Sequence, residues 1–313
     1  MDTYKNILAA WTAGADGATE DMVLQAATRW GRPLKSDITV TEIIPTPPWY
    51  ISMLAAEDET ASEALIQKCA GELEERLGPF RRGECHLHGT VRMGRPFIEI
   101  ISQAVQSESN LIIKASQDVV GQYAWRLDAT ARKLVRRSPC SVLIVKPRVE
   151  KHSPRRFLAA IKPDPTNPTG GALCRRTLEH AVALAQAEDA TLNVLYAFDI
   201  DRELALYHSA TLKDYERLKS NCLREVEHTF QEFIDPYCEH IDTENIWFVD
   251  EDPKDAICRV AKEQDIDLLL MGTVRHNAVG GLLVGDVAED VIDRVHCSVL
   301  GIKPEGFLCP IDA

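Results

Sequence analysis

The stretch with the most chemical content reads Met271-Gly272-Thr273-Val274-Arg275-His276-Asn277-Ala278-Val279-Gly280-Gly281-Leu282-Leu283-Val284-Gly285-Asp286-Val287-Ala288-Glu289. It follows the strand-like run Leu268–Met271 and leads into a helical segment. Gly272 stands at the strand end, where a glycine lets the backbone approach a ligand closely. Gly285 leads into the helix, whose first free N–H groups could face an anion. Between them, Arg275 carries a guanidinium able to pair with phosphate. Asp286 is placed to cap the helix from Val287. Its carboxylate would also fill the place of an anion and repel a phosphate unless a divalent cation bridged the two. A cap alone is the plain alternative for Asp286, and Gly280-Gly281 alone is ordinary turn punctuation.

A second constellation, Cys85-His86-Leu87-His88, offers three metal-ligating side chains in four residues. Strand alternation puts His86 and His88 on one face and Cys85 on the other, and two ligands on one edge do not close a tetrahedral site. The expectation is an exposed strand start. The chain has no G-x-S-x-G elbow, no HExxH, no Walker lysine loop and no GxGxxG after a strand. Without a convincing nucleophile–base pair, catalysis is not indicated.

The elements that must position these groups are written twice. Pro96 to Pro147 recurs without a gap as Pro253 to Pro304, at a constant offset of 157 residues. Cys140-Ser141-Val142-Leu143 returns as Cys297-Ser298-Val299-Leu300, and Lys146-Pro147 as Lys303-Pro304. A unit this long exceeds the ~20–50 residues of a solenoid repeat and is large enough to bury its own core. Strand-like runs in the first copy are Ile7–Ala10, Ile38–Ile43, His86–Val91, Leu111–Ile113 and Val142–Val145. Those in the second are Phe157–Ile161, Leu192–Ala197, Ile246–Val249, Leu268–Met271 and Val299–Ile302. Between them lie helix-length segments. The clearest is Thr211–Phe233, with Tyr215, Leu218, Cys222, Val226, Phe230 and Phe233 at helical spacing before the stop at Asp235-Pro236. The Glu-rich stretch 57–77 reads as a helix with a solvated outer face. Five strand–helix alternations per copy predict two tandem α/β domains, each a doubly wound parallel sheet, at 1–148 and 155–308. The polar segment Arg148–Arg156, with Pro154, links them.

Residues 1–148 hold 18 basic and 18 acidic side chains, leaving 17 and 30 for the remainder, so the formal charge of −13 belongs to the second half. With no basic stripe in either half, neither nucleic acid nor an anionic membrane is an expected partner. Nine scattered cysteines without a CxxC pair suit a reducing compartment. The repeated Cys140 and Cys297 read as small buried hydrophobes. No signal-peptide pattern opens the chain, and no apolar run reaches the roughly 18 residues of a membrane span, so the expected location is cytoplasmic.

The string Leu268 to Pro304, with "MGT", "GDVAEDVI" and "CSVLGIKP", resembles the end of a universal stress protein domain. The resemblance extends over both copies, residues 4–308, and the chain is similar to the tandem E type of that family. It implies the adenine nucleotide alpha hydrolase-like fold, five parallel strands per domain in the order 3-2-1-4-5. It also implies association of like domains through their last strands. Pairing of the two copies within one chain and a homodimer of chains both stay open.

Nucleotide-binding members of the family show G-x2-G-x9-G-[S/T] after the fourth strand. Gly272 and Gly285 match the first and third glycines, whereas Arg275 replaces the second and Asp286 the Ser or Thr. The family's Asp at the end of strand one is Lys162 here, with Asp164 two positions on. In the first copy Ala115, Asp118 and Asp128 stand at the three glycine positions, Thr12 replaces the strand-one Asp, and Tyr123 and Trp125 crowd the loop. The resemblance therefore implies a stress-response factor with at most a residual ATP site, in the second copy. That site comprises Gly272, Thr273, Val274, Arg275, Gly285, Asp286 and Val287, with Ala197 beside the adenine. Mg2+ enters only if ATP binds. The alternatives are slow metal-assisted ATP hydrolysis through Asp286, or carriage of another small or amphiphilic ligand.

Overall fold

The computed structural model describes residues 4–46, 59–81, 86–116, 118–120, 124–126, 128–147, 155–205, 212–276, 282–284, 286–305 and 307. The chain divides between Pro147 and Arg148 into two compact units, the second running to Glu305. Most of the linking segment, and Cys85 of the Cys-His-Leu-His motif, lie outside the described residues.

The first unit comprises β1 (Asn6–Thr12), α1 (Gly17–Leu34), β2 (Asp37–Pro45), α2 (Glu59–Leu77), β3 (His86–Gly94), α3 (Pro96–Gln106) and β4 (Leu111–Ala115). After them come β5 (Asp118–Val120), β6 (Ala124–Arg126), α4 (Ala129–Arg137) and β7 (Ser141–Val145). Its parallel sheet has the order β3-β2-β1-β4-β7, with Ile7 opposite both Ile38 and Leu111. The second unit holds β8 (Arg156–Ala160), α5 (Pro168–Glu188), β9 (Thr191–Phe198), α6 (Ile200–Ala205), α7 (Leu212–Ile234) and β10 (Ile246–Asp250). It continues with α8 (Pro253–Glu263), β11 (Leu268–Gly272), β12 (Val274–His276), β13 (Leu282–Val284), α9 (Asp286–Arg294) and β14 (Ser298–Ile302). Its order is β10-β9-β8-β11-β14, also parallel. Each sheet is thus 3-2-1-4-5 in its own strand count.

Aliphatic runs make most of these strands because helices cover both faces of a parallel sheet and a polar side chain there needs a buried partner. All five residues of β4 and of β7 are buried, and so are the first four of β11. The helices begin where short polar side chains take up free N–H groups. Asp16 caps α1 through Thr19 N at 2.7 Å, Asn167 caps α5 through Gly170 N at 3.0 Å, and Asp252 caps α8 through Lys254 N at 2.9 Å. Chain exits after α1, α3, α5 and α8 use left-handed residues that are not glycine: Lys35, Glu108, Asp189 and Asp265. Glu108 and Asp265 are the same position of the repeat.

The structure departs from the sequence reading in small ways. The segment after the fourth strand, expected as an open loop, is a two-stranded antiparallel ribbon in each copy: β5 with β6, and β12 with β13. Strand-favouring residues in both arms suit this pairing: Val119, Val120 and Trp125 in the first copy, Val274 and Val284 in the second. Cys297 is buried, but Cys140 is only half-buried. The repeated Lys146 and Lys303 are buried at 3% and 2% exposure, which their charge did not suggest. His86 and His88 are both exposed, flanking buried Leu87. The periodic face of α7 turns inward, with Phe230 and Ile234 fully packed. Leu65 of α2 is exposed and Leu73 and Leu77 are buried, as a solvated helix seated by one end requires.

His180 of α5 is 7% exposed, and burial, then the nearby Arg176 charge, lowers its imidazole to about 4 from the usual 6.5. An unfolded chain takes up this proton near pH 6.5 and the folded chain only near pH 4. The folded state therefore loses stability as pH falls through that interval, by up to roughly 3 kcal/mol. Urea midpoints measured from pH 7.5 to 4.5 should fall more steeply for the wild type than for His180→Gln; parallel curves would contradict this origin.

Candidate functional site

In an open α/β sheet, ligands bind beyond the carboxyl ends of the strands where the strand order reverses. In the second unit that point lies between β8 and β11, and a cavity of about 430 Å3 opens there. Ala160, Ile161 and Lys162 bound it at the end of β8, and Leu195 and Ala197 on β9. Met271, Gly272 and Thr273 close the β11 side, while Val287 and Ala288 bring the start of α9 to the wall. Asn167, Thr169, Leu173 and Cys174 reach it from the first turns of α5, and Pro253 and Ile257 from α8.

Four residues expected from the sequence therefore meet at one cavity: Ala197, Gly272, Thr273 and Val287. Thr273 is 1% exposed, donates its N–H to Ile302 O at 3.2 Å and aims its hydroxyl at the same carbonyl at 3.4 Å. Val274 and Arg275 sit on β12, paired in register with Val284 and Leu283. Asp286 is the first residue of α9; its side chain, that of Arg275 and all of Gly285 lie outside the described residues.

Gly272 acquires a role that the motif did not suggest. A Cβ built there would stand 2.8 Å from Leu173 Cδ2 and 3.0 Å from Leu173 Cγ. The absent side chain thus makes room for a leucine of α5. Leu173, Cys174 and Ile257 carried no signal in the sequence beyond helical spacing, because only the fold brings α5 and α8 to the end of β11.

The polar groups of the rim are mostly engaged already. Asp164 Oδ1 accepts from Thr166 N at 2.9 Å and Thr166 Oγ1 at 2.6 Å. Cys174 Sγ donates to Lys162 O at 3.1 Å, and burial pushes its thiol up to about 11. At neutral pH that sulfur is protonated and no nucleophile. Lys162 Nζ donates to Glu203 Oε1 of α6 at 2.7 Å, both side chains being about half exposed.

The equivalent place in the first unit carries an ion pair of the chain's own. Lys114, which stands where the second unit has Met271, is 1% exposed and its ammonium pairs with Asp128. Lys114 Nζ also donates to Ala115 O at 3.1 Å. Asp128 stands at the position of Gly285, and its other oxygen caps α4 by accepting from Ala131 N at 2.6 Å. Cation, anion and helix end are thereby satisfied without a ligand. A cavity of about 610 Å3 elsewhere in this unit, walled by Trp11, Glu20, Glu42, Glu72 and Arg76, is acidic. Burial raises the Glu20 and Glu42 carboxyls above the usual range, and the Arg76 guanidinium is paired with Glu20. Such a wall repels phosphate. Among the described residues, no three His, Cys, Asp or Glu side chains cluster as a metal would need. No helix among them is long and apolar enough to cross a membrane.

The profile of the Universal stress protein family matches residues 3–146 and again 166–303, one match per unit. The chain belongs to the universal stress protein family. Among its relatives, the universal stress protein E homolog of Haemophilus influenzae is 23% identical over 259 residues, covering 81% of this chain and 82% of that one. Universal stress protein E of Escherichia coli K12 is 23% identical over 225 residues, 70% of this chain and 68% of the relative. A solved structure from Pseudomonas aeruginosa superposes with a TM-score of 0.68 at 22% identity, covering 97% of this chain and 95% of that one. A universal stress protein from Archaeoglobus fulgidus gives 0.56 at 17% identity, with 96% of each chain covered. These likenesses establish the tandem fold of this universal stress protein.

Removing one partner of a buried ion pair leaves an uncompensated charge. Asp128→Asn, which keeps the α4 cap, should destabilise the protein by roughly 3–5 kcal/mol. Adding Lys114→Met, the residue of the other copy, should recover most of that loss in a urea-denaturation double-mutant cycle; additive losses would refute the pairing. In the second unit, Gly272→Ala should cost about 1–3 kcal/mol through overpacking. Leu173→Ala in the same chain should cancel part of it, and if the double variant is as unstable as the sum of the two, the packing account fails.

Proposed function

We propose that this tandem universal stress protein is a cytoplasmic binding factor whose second unit holds one small nucleotide-type ligand and whose first unit holds none. The observation that carries the reading is the contrast between equivalent places: a cavity of about 430 Å3 in the second unit, an internal Lys114–Asp128 pair in the first. The volume falls in the ~300–1,000 Å3 range of small-molecule sites. Ile161, Leu195, Ala197, Ile257 and Met271 supply apolar walls suited to a flat ring, and Lys162, Asn167 and Thr169 supply polar groups on the β8–α5 side. ATP is the first ligand to test, with Mg2+ beside it, since a divalent cation would reconcile the Asp286 carboxylate with a phosphate. The protonated Cys174 thiol and the absence of a nucleophile–base pair among the described lining residues favour binding over turnover.

Titration calorimetry with ATP, with and without Mg2+, should show saturable binding of one nucleotide per chain at submillimolar affinity. Ala197→Phe, which fills the slot, should weaken it at least tenfold with the circular dichroism spectrum unchanged. No saturable binding up to millimolar nucleotide would end this reading, and phosphate release abolished by Asp286→Ala would replace it with hydrolysis. The predominance of aliphatic walls favours one second reading, a small amphiphile in the same cavity, which native mass spectrometry of the purified protein would detect as a co-purified mass.

A further inference from the structure

Lys162 is the one basic residue that lines the second-unit cavity among the described residues, and Asp164 the one acidic. The Asp164 carboxylate is committed to Thr166, through its N–H and its hydroxyl. The backbone around Lys162 is fixed: Ile161 N donates to Leu195 O at 3.0 Å, extending the β8–β9 ladder, and Lys162 O accepts from Cys174 Sγ at 3.1 Å. Beyond this fixed backbone the Lys162 side chain reaches solvent, where its ammonium meets Glu203. Its present partner, Glu203, is about half exposed, and so is the lysine. Ion pairs of that kind exchange at little cost, because water and salt screen them.

Position and sign together define a selectivity. The cavity walls suit an apolar or aromatic body, and among the described lining residues Lys162, at the end of β8, is the one that carries a cation. A second half with a net charge of −13 opposes ligands of high negative charge at long range. A monophosphate or carboxylate can be balanced by one ammonium, and a free triphosphate cannot. Resting on the proposal that this cavity binds a ligand, we propose that Lys162 is the specificity-determining residue of the site. It leaves Glu203 to pair with the single terminal acidic group of a small ligand whose body fills the cavity. Phosphomonoester and carboxylate share this chemistry, so the body of the ligand decides between a nucleotide and an acyl acid.

The test is calorimetry on the full chain with adenosine, AMP, ATP, decanol and decanoate, for wild type, Lys162→Ala and Glu203→Gln. The wild type should bind AMP at least tenfold more tightly than adenosine and more tightly than Mg2+-free ATP. Lys162→Ala should bring AMP down to the affinity of adenosine without changing adenosine itself. Glu203→Gln should tighten AMP by up to about fivefold, the range of a released surface pair. The same Lys162-dependent preference for decanoate over decanol, with AMP unbound, supports the role of Lys162 and overturns the nucleotide reading alone. Equal binding of adenosine and AMP, or equal loss of both in Lys162→Ala, overturns the role of Lys162 and leaves the site standing. If no probe binds the wild type, both are overturned.

Discussion

Burial of the central strands on both faces is the constraint on which the rest of each unit depends. Leu111–Ala115 and Ser141–Val145 are buried along their whole length, and Leu268–Met271 repeats the pattern in the second unit. Such strands admit a polar side chain only where it finds a partner, as Lys114 near the end of β4 does in Asp128, so polar function concentrates where the strands end. Among the described residues, the polar groups of the two candidate places lie there: Lys114 and Asp128 in one unit, Lys162, Thr273 and the α5 cap in the other. The helix caps at Asp16, Asn167 and Asp252 serve the same layout, since each starts a helix where a strand has just released the chain.

Duplication gave two copies of this layout, and they solved the strand-end problem differently. In the first, a cation and an anion from the chain itself meet there, and the carboxylate doubles as a helix cap. In the second, a methionine and a glycine stand at those positions and the space stays open. A buried pair of this sort is not a strong source of stability, because desolvation offsets most of the attraction. Its effect is to make the first unit self-sufficient.

The fold was legible because its signals are strong and local. Most of the core strands announce themselves as apolar runs, helix α7 as a periodic stripe that stops before Asp235-Pro236, and the tandem plan as one constant offset. The two ribbons were hidden because a loop long enough to hold a ligand and a short hairpin share the same glycines and valines. Half of the candidate site was legible from the glycine spacing and from position on the second strand: Ala197, Gly272, Thr273 and Val287. Leu173, Cys174 and Ile257 were not, because their arrival at the cavity is a property of how α5 and α8 cross the sheet. The Lys114–Asp128 pair was missed for a related reason. A lysine that ends an apolar run looks like an exit to solvent until the start of the following helix is seen to meet it.

The close fit of Leu173 against Gly272 bears on how such loops change over evolutionary time. Once a neighbouring leucine has settled into the space beside a glycine, selection for packing holds the glycine whether or not any ligand remains. Loss of ligand and loss of the glycine become separate events, and the first can precede the second indefinitely. A glycine pattern surviving in one copy of a duplicated domain is then partly a fossil of shape. The residue facing the glycine from the adjacent helix tells which kind of conservation a given sequence preserves.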